Sequence, residues 1–147
     1  VLEAREKVIS DAKAAGWLRM AALHGDVRAQ TALASMYRYG LGVPPDRIKS
    51  ASWMTAAAEL GHAPAQHALG EMFAGAIGVP LDRKRAFAWY RSAAEQGYAP
   101  AQHALGEAFE RGVGTPPDGR QALLWYGRAA EQGNEDARKA LARLRGR

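Results

Sequence analysis

Cysteine is absent from the 147 residues. That removes disulfides, thiolate metal sites and cysteine catalysis together. It leaves the compartment open between cytoplasm and periplasm, because a chain without thiols survives in oxidising and reducing surroundings alike. No apolar run approaches the roughly 18 to 20 residues that a membrane-spanning helix needs, so a soluble protein without a membrane span is expected. No signal-peptide pattern is visible, and the chain starts at Val1 rather than Met, as a processed or trimmed product does. What is present is apolar and small. Apolar residues make up 48%, enough for a core, and alanine alone supplies 32 positions, which favours closely approaching helices over sheets.

The net charge of +5 does not mark a nucleic-acid-binding face. Residues 137–147 contain Arg138, Lys139, Arg143, Arg145 and Arg147 and no acid, a local +5 that accounts for the whole excess. The segment before it, residues 101–136, carries −3. A nucleic-acid surface would show basic residues along most of one face, so nucleic acid is not the expected partner.

The chain repeats itself every 36 residues. Ala29-Gln30 recurs as Ala65-Gln66 and Ala101-Gln102, and Ala137 opens a fourth copy. Leu33, Leu69, Leu105 and Leu141 keep the same step, as do Trp17, Trp53, Trp89 and Trp125, and Gly25, Gly61, Gly97 and Gly133. Residues 65–100 and 101–136 are identical at 19 of 36 positions without a gap. Such self-similarity is the signature of a stacked architecture in which each unit buries its apolar face on its neighbours.

Each unit reads as two helices. Ala65, Leu69, Met72 and Phe73 follow the i, i+4, i+7, i+8 pattern of one helical face, and Ala86, Trp89, Tyr90, Ala93 and Ala94 repeat it in the second helix. Between them lie Gly40-Leu41-Gly42-Val43-Pro44-Pro45-Asp46, Gly78-Val79-Pro80-Leu81-Asp82 and Gly112-Val113-Gly114-Thr115-Pro116-Pro117-Asp118. Glycine and proline cannot propagate a helix, so a turn is forced. Asp46, Asp82 and Asp118 stand where the second helix needs an N-cap, and Gly61, Gly97 and Gly133 where it stops. Asp26 and Asn134 are placed to cap first helices; His62 and Tyr98 hold that place in the middle units and are poorer caps.

The ends are half-units. Residues 11–24 match only a second helix, and residues 1–10, lacking the connector, are expected to extend it. Residues 135–145 match only a first helix, with Leu141 and Leu144 facing inward and the basic residues facing water, as a cap on a stack requires. One repeat domain over 1–147 follows, with an N-terminal helix and half-repeat at 1–28, full repeats at 29–64, 65–100 and 101–136, and a capping helix at 137–147.

These residues resemble a known pattern. Ala65-Gln66, Leu69-Gly70, Phe73, Gly78-Val79, Asp82, Ala86, Trp89-Tyr90 and Ala93-Ala94-Glu95-Gln96-Gly97 are similar to the Sel1-like repeat, a branch of the tetratricopeptide-type helical solenoids. The third unit matches at Leu105-Gly106, Phe109, Trp125-Tyr126 and Ala129 to Gly133; the first departs at Ala34, where glycine is expected, and at Met54 instead of tyrosine. The resemblance covers about residues 11–145. It implies an all-α, right-handed superhelical solenoid of antiparallel helix pairs, with first helices lining the concave side. It also implies a noncatalytic scaffold that holds a protein or peptide partner.

Other chemistries fit less well. Ser10-Asp11-Ala12-Lys13 has the Ser-x-x-Lys form of lactam-binding and lactam-hydrolysing enzymes, but the Ser-Asp-Asn and Lys-Thr-Gly elements that complete such a site are missing. Gly40/Gly42 and Gly112/Gly114 precede prolines rather than a helix N-terminus after a strand, so they read as turn formers and not phosphate loops. His67 with Glu71, and His103 with Glu107, place four metal-ligand types on neighbouring helices. Packed helices lie about 8 to 10 Å apart while zinc holds each ligand at about 2 Å, so neither a metal nor any other cofactor is expected. Trp53, Trp89 and Trp125 lie beside Ala57, Ala93 and Ala129 and are expected in the core rather than on a base-stacking surface.

Opposite the packing residues of the first helices runs a polar stripe: Thr31, Ser35 and Arg38, then His67, Glu71 and Ala74, then His103, Glu107 and Glu110, then Lys139 and Arg143. Tyr39 and Arg111 border it and are residue types enriched at binding hot spots. This stripe is the expected partner-binding surface. Alternatives are a purely structural segment of a larger protein and a hydrolytic or lactam-binding use of Ser10 and Lys13.

Overall fold

A computed structural model of the chain describes residues 1–146; Arg147, one of the five basic residues of the C-terminal end, lies outside them. The described residues form eight helices and no strand: α1 (Leu2–Leu23), α2 (Val27–Tyr39), α3 (Arg47–Glu59), α4 (Ala63–Gly75), α5 (Arg83–Glu95), α6 (Ala99–Arg111), α7 (Gly119–Glu131) and α8 (Glu135–Arg145). Each packs mainly on the helix before and the helix after it. The pairs α2–α3, α4–α5 and α6–α7 are the three units; α1 is a second helix with no first helix in front, and α8 a first helix with no second helix behind.

Local chemistry sets the helix ends. Asp46, Asp82 and Asp118 accept from the backbone N–H of Lys49, Arg85 and Gln121 at 3.0, 3.0 and 3.1 Å. Asp26 and Asn134 do the same for α2 and α8, whereas His62 and Tyr98 make no side-chain cap bond. In the connectors Gly42, Gly78 and Gly114 adopt positive φ of 72°, 71° and 75°. A Cβ on any of them would lie within 2.3 Å of a backbone oxygen of the preceding second helix, that of Asp11 midway along α1 or of Arg47 or Arg83 at the start of α3 or α5. Two demands, left-handed backbone and close approach, thus fall on one residue.

The departures of individual units come in matched pairs. A Cβ on Gly70 would meet the Tyr90 ring at 2.6 Å, and one on Gly106 the Tyr126 ring at 2.7 Å. The first unit has Ala34 there because Met54 replaces the tyrosine, and both are buried. A Cβ on Gly40 or Gly112 would press on Pro45 or Pro117. Ala76, the one described non-glycine residue with positive φ (54°), stands at this place in the middle unit, where Leu81 replaces the proline.

The core runs the length of the stack and consists mainly of alanines with Leu33, Leu69, Met72, Leu105, Trp125, Tyr126 and Leu141. Gln30, Gln66 and Gln102 are buried among them, each donating to the carbonyl of Ala22, Ala58 or Ala94. Gln96 and Gln132 reach in to donate to the side-chain oxygens of Gln66 and Gln102. In the first unit that helper position is Leu60, and the Oε1 of Gln30 is left buried without a partner. Trp125 is buried, and Trp53 and Trp89 are half-buried against the core, but Trp17 is 77% exposed.

Candidate interaction surface

Consecutive first helices bring parts of the polar stripe together. Helical spacing puts Glu71 one turn beyond His67 and Glu107 one turn beyond His103. The Nε2–carboxylate contacts are 3.4 and 3.6 Å, with both histidines mostly covered and both glutamates nearly half exposed. The imidazoles lie against tyrosines: His67 is 5.7 Å from Tyr90 and 5.6 Å from Tyr98, and His103 is 5.6 Å from Tyr126, between ring centroids. Tyr98, a poor N-cap, places its ring against His67 instead. Burial holds the His67 pKa below 6.5 against the opposing pull of Glu71, with a smaller push in the same direction from His103. Burial, then the charges of Glu71 and Glu107, raise Tyr90 to about 12. The Tyr90 phenol therefore stays protonated at neutral pH.

Between α4 and α6 the wall opens into a cleft of about 180 Å³ lined by Ala74, Tyr90, Ala104, Glu107, Ala108, Arg111 and Val113. Its apolar floor with a few polar groups at the rim is the usual make-up of a recognition pocket.

Other stripe residues are already engaged. Glu110 accepts two hydrogen bonds from the Arg143 guanidinium, at 2.6 and 2.9 Å, and a third from the Tyr126 hydroxyl at 2.7 Å. These bonds, led by that with Arg143, hold its carboxyl down at about 2. Thr31 and Ser35 donate to the backbone carbonyls of Val27 and Thr31 within α2, which occupies their hydrogens. Arg38 lies over the Tyr39 ring at 5.3 Å, and Tyr39 is exposed. The stripe thus has an engaged first unit, an open middle and an ion-paired C-terminal part. Tyr90, Tyr98 and Tyr126 were not legible as parts of this surface, because their spacing identifies them only as packing or capping positions. A first-helix histidine repeated one unit later beside a second-helix tyrosine is the signal that could have found them.

Ser10 and Lys13 lie on the exposed flank of α1. Among the described residues no group of three or more histidines, cysteines, aspartates or glutamates is arranged to hold a metal ion. No described helix is long and apolar enough to cross a membrane.

Sel1 repeats match residues 7–26, 27–62, 63–98 and 99–134. The chain belongs to the Sel1 repeat family. Its fold is shared with a Sel1 repeat protein from Oxalobacter formigenes, 41% identical over 85% of this chain and 94% of that one, with a TM-score of 0.80. It is also similar to c5321, a protective antigen of uropathogenic Escherichia coli strains with an SLR fold, at 36% identity over 88% of this chain, 28% of that longer one, and a TM-score of 0.86. Cysteine rich protein B of Helicobacter pylori, at 24% identity over 84% of this chain and 94% of that one and a TM-score of 0.66, shares the fold. No protein of curated function matches the chain. Sel1 repeats are generally noncatalytic helical scaffolds for protein–protein interaction, and the matched units here contain the whole stripe up to Arg111.

Proposed function

We propose that this Sel1 repeat chain is a noncatalytic module that holds a protein or peptide partner along its first helices α2, α4 and α6, the concave side of the stack. The contact residues are Thr31, Ser35, Arg38, Tyr39, His67, Glu71, His103, Glu107, Glu110 and Arg111. The observation that carries this reading is the pair of His–Glu contacts on successive first helices, with their carboxylates directed outward beside an open, tyrosine-floored cleft. The stack supplies a preformed surface, so little ordering entropy opposes binding. Charges at such a surface set association rate and partner choice.

The test is capture of partners by the intact chain, followed by affinity measurement with stripe variants. Glu110 is tied to Arg143 and Tyr126, so reversing it would also disturb the fold; Glu71 and Glu107 are the cleaner pair. Glu71→Lys with Glu107→Lys should weaken binding tenfold or more, about 1.4 kcal/mol. Arg91 and Glu95 form an exposed ion pair at 2.9 Å on a second helix, and Arg91→Glu with Glu95→Lys should leave affinity unchanged. Loss of binding in the second variant and not the first would move the site to the opposite surface.

A further inference from the structure

Two successive junctions between first helices are built alike and filled differently. At the α6–α8 junction Glu110, Tyr126 and Arg143 close the gap: carboxylate from α6, guanidinium from α8, phenol beneath. One repeat earlier, at the α4–α6 junction, the same three places hold Ala74, Tyr90 and Glu107. Alanine replaces the carboxylate and a carboxylate replaces the guanidinium. The volume that an ion pair fills at one junction is, at the other, the cleft of about 180 Å³ beside Tyr90. Its carboxylate, Glu107, has only the His103 imidazole as an ion partner among the described residues, at 3.6 Å. Glu71, the second carboxylate near Tyr90, has only His67. Arg111 stands at the rim and is exposed.

We infer that the α4–α6 cleft takes an arginine side chain of the partner polypeptide, its stem against Ala74 and its guanidinium shared by Glu107 and Glu71 above Tyr90. This rests on the proposed first-helix binding surface and names the partner's chemistry there. Arg143 is the internal precedent, since at the next junction a guanidinium pairs with a carboxylate that also accepts from the equivalent tyrosine. The planar fork of arginine matches a carboxylate with two parallel bonds, which lysine cannot do. Burial first, and then the charges of Glu71 and Glu107, push the Tyr90 pKa up; a cation in the cleft would offset the charge contribution.

The test is an NMR titration of the isotopically labelled full chain with acetyl-Ala-Arg-Ala-amide, beside the same peptide carrying leucine or glutamate in the centre. The arginine peptide should shift the backbone amides of Ala74, Tyr90 and Glu107 and bind at least fivefold more tightly than either control. Glu107→Gln should weaken it fivefold or more. Ala74→Glu with Glu107→Arg rebuilds the Glu110–Arg143 pair at this junction and should abolish binding with no fall in melting temperature. If that double variant does not fold, Glu107→Gln decides alone. Equal binding of the leucine peptide at these residues overturns the arginine assignment and leaves the first-helix surface standing. Shifts confined to the second-helix face around Arg91 and Glu95 overturn both. No shift with any peptide at millimolar concentrations overturns the arginine cleft.

Discussion

Trp17 and Trp125 occupy the same place in the repeat, and their surroundings differ completely. Trp125, in α7, is 7% exposed under α6; Trp17, in α1, is 77% exposed because no first helix lies in front of it. The opposite end is finished differently. On α8, Ala137, Ala140 and Leu141 are buried on α7, while Arg138, Lys139 and Arg145 are turned to solvent and Arg143 pairs with Glu110. Burial in a stacked protein is therefore a property of the neighbour and not of the residue. The outer face of α8 is mainly charged, whereas α1 leaves Leu2, Ile9, Trp17, Met20 and Leu23 exposed among its charged residues.

The comparison can be broken in several ways. Removing residues 135–147 uncovers Ala122, Tyr126 and Ala129 of α7, and the truncated chain should aggregate or lose its cooperative unfolding transition. Gel filtration showing an equally stable monomer would remove the capping role from α8. Next in size, Trp125→Ala should cost about 3 to 5 kcal/mol, as for a large buried aromatic, while Trp17→Ala should stay within about 0.5 kcal/mol, as for exposed positions. Urea unfolding of both variants checks the ratio, and equal losses would mean that α1 is covered in solution. Leu105→Ala, within the same core, falls in the range of about 2 to 5 kcal/mol.

Smaller effects sharpen the contrast between the first unit and the others. Gly70→Ala drives a methyl into the Tyr90 ring and should cost about 1 to 3 kcal/mol by overpacking. Adding Tyr90→Met recreates the Ala34–Met54 pair and should recover most of that, read as a coupling energy in a double-mutant cycle. Leu60→Gln should give the orphaned Gln30 Oε1 the partner that Gln66 and Gln102 have, raising stability by about 0.5 to 1.5 kcal/mol; an unchanged denaturation midpoint would mean that water already serves it. The smallest effect is electrostatic. The Glu110 carboxyl is held near 2 rather than 4.5 by Arg143, desolvation opposing and Tyr126 assisting. Its contribution is full above pH 4.5 and is lost as pH falls toward 2. In a pH series of melting temperatures, wild type should decline more steeply through that window than Arg143→Ala.

Much of this architecture could be read before any coordinate. The Gly–Pro connectors and the caps at Asp46, Asp82 and Asp118 are local signals, each depending on residues a few positions apart, and the 36-residue period shows by identity alone that they recur. The exposure of Trp17 was not legible from its own sequence context, which is that of a packing residue. Nor was the engagement of Glu110, whose partner Arg143 lies 33 positions away on a different helix. Ala34 and Met54 were visible as two separate departures. That they are one departure requires knowing that a tyrosine ring crosses the first helix at its glycine. Of the binding stripe, the helical face was legible from spacing, but which parts were free depended on contacts between units.

The seats of Gly42, Gly78 and Gly114 on the main chain of the preceding helix carry a consequence for ancestry. Main-chain atoms are the same in every copy, so the step from one unit to the next does not depend on which side chains its predecessor holds. A gene that gained or lost a whole repeat by unequal crossing-over would still encode units that join at the same angle. Length becomes a trait that can vary in whole steps, while mutation rewrites the outward residues of one copy at a time.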